Sequence, residues 1–210
     1  MIRGRFIAFE GGEGVGKSTQ SKLLAEALEA RGIEVVLTRE PGGTSGAEAI
    51  RSLLLNPPHE GWNARAEALL FAAARADHVE KLIRPALEAG KWVICDRFID
   101  STRAYQGGGG GLSDAEILDL HRIGSAGLLP DLTLLMEVPV AMREERLARR
   151  ASADAIEGRE AAYPARVVEA FARFAEAEPA RFVRIDGQGE REDTHAQILK
   201  AVEKLLEGSK

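Results

Sequence analysis

Along the chain, short apolar runs alternate with longer stretches in which apolar residues return every three to four positions. Residues 6–9, 35–37, 92–95, 132–136 and 182–185 are the runs, and each has the length of a strand. Apart from Thr133 and Arg184 they are apolar rather than alternating, which suits a parallel sheet covered on both faces. Between them lie helical patterns at 17–31, 65–89, 114–124, 161–177 and 192–206. The first places Leu23, Leu24, Ala27 and Leu28 on one stripe, and Gly32 stops it. The third opens on Ser113 with Glu116 at the capping-box position. Strand–helix alternation of this kind predicts right-handed crossovers and a three-layer αβα sandwich around a five-stranded parallel sheet. Gly107 to Gly111 is the one low-complexity piece, and the pattern around it does not lapse. A single domain over residues 1–210 is therefore expected.

Composition narrows the class. With 45% hydrophobic and 29% charged residues in 210, the chain can bury a core, which excludes global disorder, collagen and coiled coil. The net charge of −5 argues against a broad basic face for duplex nucleic acid, but it leaves a local anion site open. One cysteine, Cys95, rules out an internal disulfide and fits a reducing compartment. No apolar run approaches the ~20 residues of a membrane span, and Met1 to Glu10 lacks the layout of a signal peptide. A cytoplasmic location is expected.

The chemistry enters at Gly11-Gly12-Glu13-Gly14-Val15-Gly16-Lys17-Ser18, followed by Thr19. This fits G-x-x-x-x-G-K-[ST] in the required context of a strand before and a helix after. Glycines let backbone N–H groups turn inward around phosphate oxygens, and the helix points its positive end there. Lys17 then reaches the β- and γ-phosphates, and the Ser18 hydroxyl can hold Mg²⁺. Residues 92–95 close on Asp96, a second point for the metal. Alone, an Asp at a strand end is often only a cap. Arg39 and Arg97 follow the second and third strands, and ligands of open α/β folds sit beyond the carboxyl ends of strands. No N-K-x-D guanine reader is present. The combination suits a P-loop NTP hydrolase-like fold serving as a small kinase with a second anion site.

The phosphate loop preceded by Glu10, Arg39-Glu40-Pro41-Gly42-Gly43-Thr44, Phe71-Ala72-Ala73-Ala74-Arg75, Asp96-Arg97-Phe98 and Ser101-Thr102-Arg103-Ala104-Tyr105-Gln106-Gly107-Gly108 together resemble the bacterial thymidylate kinases, in order and spacing over essentially the whole chain. The resemblance implies transfer of the γ-phosphoryl group of ATP to dTMP, with Mg²⁺ as cofactor, ATP and dTMP as the small-molecule partners, no polymeric nucleic acid or membrane partner, and a homodimer. It implies that residues 11–19 hold ATP, that Phe71 stacks on thymine, and that Arg75 bonds its edge. Ser101 and Gln106 would add polar contacts, and Tyr105 would crowd the sugar 2′ position. Arg39, Glu40, Pro41, Arg97 and, as a weaker candidate, Arg51 would hold the dTMP end. Glu13 would lie near the sugar 3′-hydroxyl and the metal.

The resemblance loosens in a lid expected at about 148–160, where Asp154-Ala155-Ile156-Glu157 stands for the family's Asp-Arg-x-Glu. The catalytic set expected is Lys17, Arg97 and Glu13 with Arg150, then Arg149, as the lid arginine. The rival readings are another P-loop kinase of nucleoside monophosphates or small metabolites, and a regulatory nucleotide-binding ATPase.

Overall fold

In a computed structural model, residues 3–148 and 163–207 are described. The expected lid arginines Arg149 and Arg150, and nearly all of the expected lid, lie outside them. Five strands, β1 (Phe6–Glu10), β2 (Val35–Arg39), β3 (Trp92–Asp96), β4 (Leu132–Glu137) and β5 (Phe182–Asp186), form one wholly parallel sheet in the order β2-β3-β1-β4-β5. Each runs one or two residues past its apolar run, and each ends on a charged residue: Glu10, Arg39, Asp96, Glu137 and Asp186. In β1, β3 and β4 the apolar run is what the layers bury, whereas on the edge strand β2 none of the run is fully buried and Leu37 is 41% exposed. The charge at each strand's end is what the carboxyl edge of the sheet presents.

The alternation of side chains along buried β1 divides the core. Ile7 and Phe9 pack with Leu24, Leu28, Ile198 and Val202, on the face covered by α1 (Lys17–Glu29) and α9 (Arg191–Glu207). Phe6 and Ala8 pack with Val79, Ile83, Phe98 and Ile117 on the other face. Helices α3 (Ala64–His78) and α6 (Asp114–Ser125) cover that side. The three-layer expectation holds, and so does the capping box at Ser113 and Glu116.

Four elements differ from the expectation. The long helix at 65–89 is α3, a π-helical segment Val79–Ile83, and α4 (Arg84–Glu88). The ladder changes pitch just before Pro85, which has no N–H to give it. An unforeseen helix, α2 (Ser45–Leu55), starts at Thr44, whose hydroxyl accepts from Ala47 N. The glycine run is helical too: α5 (Ile99–Thr102) continues into a π-helical segment Arg103–Gly109. Its glycines admit α8 (Tyr163–Ala177), because a Cβ on Gly108 would stand 2.5 Å from the Ala170 methyl, and one on Gly109 2.5 Å from the Tyr163 ring. Finally α7 (Val140–Ala148) leaves β4 and brings Arg143 and Arg146 above the first strand–helix turn.

β1 is the switch point. The chain proceeds from β1 to β2 on one side of it and later to β4 on the other. The loops diverging there leave a crevice beyond the carboxyl ends.

Candidate active site

The turn from β1 to α1 is the phosphate loop. Gly11, Gly14 and Gly16 have φ of +126°, +72° and +96°, values that side chains disfavour. Gly16 is the N-cap of α1 and offers no side-chain cap, so the helix's first N–H groups are left for an anion. Lys17 is 7% exposed, and its Nζ donates to the carbonyls of Gly11 (3.2 Å) and Gly12 (2.6 Å). Burial, reinforced by Arg97, pulls its pKa down to about 7 against the attraction of Asp96, Glu10 and Glu13. The Ser18 hydroxyl donates to Asp96 Oδ2 at 2.6 Å, so the two expected metal contacts are already adjacent.

Arg97 is the hinge of the site. Its backbone takes a left-handed φ of +68°, and its N–H donates to Phe9 O at 2.9 Å. Its guanidinium donates to Gly11 O (3.2 Å) and Ser101 Oγ (3.1 Å), lies 3.8 Å from Glu13, and sits 5.1 Å from the Tyr105 ring centre. Behind it, the buried Glu10 carboxylate accepts from Phe98 N, Ser101 N and the Ser101 hydroxyl at 2.8, 3.1 and 2.6 Å. Burial and the neighbouring Asp100 push the Glu10 pKa up to about 7.

Beside Arg97 opens a cavity of about 670 Å³, its open mouth included. Glu40 and Pro41 border it after β2, Arg51 from α2, Phe71 and Arg75 from α3, and Ser101, Tyr105 and Gln106 from the turns after β3. Residues scattered over 66 positions in the sequence thus converge. Phe71, which sequence alone would place in the core, is half-buried and borders the cavity. Arg75 is 2% exposed. It is fixed by Glu40 (2.8 Å from Nε) and Thr102 (3.0 Å from Nη2), with Phe98 5.2 Å from its guanidinium carbon. Its Nη1 has no such partner among the described residues. Glu40 is held in turn by His78, which also meets Thr38.

Some expected contacts are committed elsewhere in the protein. Ser101 links Glu10 to Arg97, and Gln106 donates to Glu67 at 3.1 Å. Arg51 donates to Pro41 O at 2.9 Å from within the cavity lining. Arg39 does not border this cavity. It pairs with Glu48 at 3.0 Å, 56% exposed, in the adjoining groove with Ser18 and Asp96. Sequence reasoning missed Thr102, and it missed Leu54 and Leu55 because the helix that carries them was not foreseen. It also missed Glu10 as a support, which its position at the end of a buried strand could have flagged.

A second cavity, about 1290 Å³ with its mouth, lies on the other side of the loop. Gly14, Gly16 and Thr19 border it from the loop and α1, Met142 and Arg146 from α7, and Gly187 to Arg191 after β5. Arg146 donates to Gly187 O at 3.2 Å.

Two cavities bordering one phosphate loop, on a parallel αβα sheet, define a P-loop protein with room for two ligands beside the loop. Comparison with known proteins makes the assignment particular. Residues 9–198 match the family model described as thymidylate kinase. The thymidylate kinase of Rhizorhabdus wittichii is 58% identical over 205 residues, 97% of this chain and 99% of that protein. That of Chromohalobacter salexigens is 50% identical over 94% of each. The crystal structure of thymidylate kinase from Ehrlichia chaffeensis superposes with a TM-score of 0.77 at 37% identity, covering 95% of this chain and 99% of that one. The chain belongs to the thymidylate kinase family, enzymes that phosphorylate dTMP at the expense of ATP.

Proposed function

We propose that this chain transfers the γ-phosphoryl group of ATP to dTMP, giving dTDP and ADP, with ATP in the cavity under α7 and dTMP in the cavity between α2, α3 and Tyr105. The observation that carries this arrangement is Arg97, which bonds the phosphate loop at Gly11 and borders the acceptor cavity. A guanidinium placed there can span donor and acceptor phosphates, and its planar fork suits both.

In this reading the loop N–H groups, Lys17 and Thr19 hold the donor phosphates. The acceptor phosphate meets Arg97 and Arg51, the thymine ring lies on Phe71, and Arg75 offers Nη1 to its edge. Tyr105, its ring held by Arg97, limits space at the sugar. Glu13 faces the sugar and the metal side. An oxygen of the dTMP phosphate is already an anion at neutral pH, so no strong general base is needed; it attacks the γ-phosphorus and ADP departs. Positioning and charge neutralisation by Lys17 and Arg97 then carry the rate.

The donor set suits Mg²⁺: one hydroxyl and one carboxylate, hard oxygen ligands in direct contact, with room for nucleotide oxygens to complete the shell. Bound there with ATP, the ion would neutralise phosphate charge. Arg39, facing this groove rather than the acceptor cavity, would act on the metal side or swing in when Glu48 releases it.

A homodimer is the assembly we expect, through the face of α3 and α6 that leaves Leu69 57% and Leu118 37% exposed. A cytoplasmic location suits the buried free thiol of Cys95.

The pocket assignment is tested by Phe71→Ala and Tyr105→Ala. Each should raise KM for dTMP about tenfold or more while KM for ATP stays within about twofold. Equal changes in both constants would overturn it.

A further inference from the structure

Helix α7 brings two arginines to the donor side. Arg143 and Arg146 stand three apart and so share a helix face. Arg146 borders the donor cavity through Gly187. Arg143 goes further and touches the phosphate loop: a methyl group on Gly12 would stand 3.4 Å from its Nη1 and 3.6 Å from its Cδ. The carbonyl of that same glycine accepts from Lys17, and the carbonyl of Gly11 accepts from Lys17 and Arg97. Three cations therefore gather on two consecutive loop residues.

The surroundings of Arg143 ask for an anion. Its side chain is half-buried, yet among the described residues its guanidinium has neither a carboxylate nor a hydrogen-bond acceptor. The other arginines that line the two cavities are occupied: Arg51 by Pro41 O, Arg75 by Glu40, Arg97 by Ser101 and Glu13, Arg146 by Gly187 O and Arg191 by Glu192, as is Arg39 by Glu48 in the adjoining groove. A guanidinium is always charged, and its planar fork matches phosphate oxygens. The topology gives it a side of its own. β3 and β4 are the two neighbours of β1. Arg97 follows β3 and approaches the loop from the acceptor side; Arg143 is on the helix that follows β4, between Met142 and Arg146, which border the donor cavity.

We propose that Arg143 is a catalytic residue, binding the terminal phosphates of the donor nucleotide and neutralising the charge carried by the γ-phosphoryl group as it passes to dTMP. It keeps its proton throughout. The assignment rests on the placement of the donor phosphates in the loop, and the test separates the two.

Arg143→Ala, Arg143→Lys and Lys17→Ala are assayed with ATP, Mg²⁺ and dTMP, with thermal melting as the check on folding. Arg143→Ala should lower kcat by about 10²- to 10³-fold, with KM for dTMP within about threefold and the melting temperature unchanged. Arg143→Lys should recover part of the loss, and guanidinium ion added to Arg143→Ala should restore turnover, as replacing a merely structural side chain would not. If the alanine variant melts early, Arg143→Gln carries the same comparison of kcat with KM. A folded Arg143→Ala or Arg143→Gln enzyme with wild-type kcat, beside an inactive Lys17→Ala, overturns the role of Arg143 alone. Full turnover in Lys17→Ala as well would overturn the placement of the donor.

Discussion

The five strands end on five charges, and the chemistry is built from what those ends hold. Lys17 is the clearest case. In the unliganded loop burial keeps its pKa near 7, whereas a bound polyphosphate favours the charged ammonium. At pH 8, where the free side chain is mostly neutral, binding of a non-hydrolysable ATP analogue should take up about one proton. Calorimetry in buffers of different ionisation enthalpy measures it; Lys17→Met should abolish the uptake, and a buffer-independent heat in the wild type would contradict it. Glu10 is the support beneath Arg97, acting through Ser101. Glu10→Gln should lower kcat/KM for dTMP about tenfold, the order of one charged hydrogen bond, with little change in KM for ATP. Glu40 is structural: removing it leaves the Arg75 guanidinium buried without its carboxylate. Glu40→Ala should therefore cost about 3–5 kcal/mol in denaturant unfolding.

At the scale of elements, the glycine run after Tyr105 has a packing reason. Gly108→Ala would drive a methyl into Ala170, and we expect a loss of about 1–3 kcal/mol in denaturant unfolding; a neutral result would mean that α8 yields freely. This run also shows where sequence reading stops. The strands were legible because parallel strands inside a layered fold leave short, largely apolar runs, broken here only at Thr133 and Arg184, and the phosphate loop because its glycines and lysine are fixed by ligand geometry. The capping box at Ser113 was legible because capping is local. Helices α2 and α7 were not: α7 has four consecutive charges, Arg143 to Arg146, at its centre, and α2 follows a glycine-rich turn that reads as loop. Their residues were lost with them, Leu54 and Leu55 from the acceptor cavity and Arg143 from the loop. Ser101 and Gln106, named by resemblance, both border the cavity, but their bonds to Glu10, Arg97 and Glu67 depend on contacts up to 91 positions apart, which no local pattern encodes.

At the scale of the whole molecule, a chain of net charge −5 handles two polyanions by concentrating cations at one edge of its sheet. Lys17, Arg97 and Arg143 converge on the loop, while acids such as Glu26 and Glu29 lie away on the outer turns of α1. The crevice is a local exception to the global sign, so substrate affinity should weaken with salt. If the proposed homodimer forms through the exposed apolar residues of α3 and α6, Leu69→Asp should shift it toward monomer in light scattering, and an unchanged mass would move the interface elsewhere. The central claim is that the cavity beside Arg97 selects dTMP as acceptor. A coupled ADP-release assay over dTMP, dUMP, dCMP, dGMP and the ribose form of TMP tests it most directly. The highest kcat/KM should belong to dTMP, with the ribose form at least about tenfold lower; a higher value for another base, or the same ADP release with no acceptor present, would contradict it.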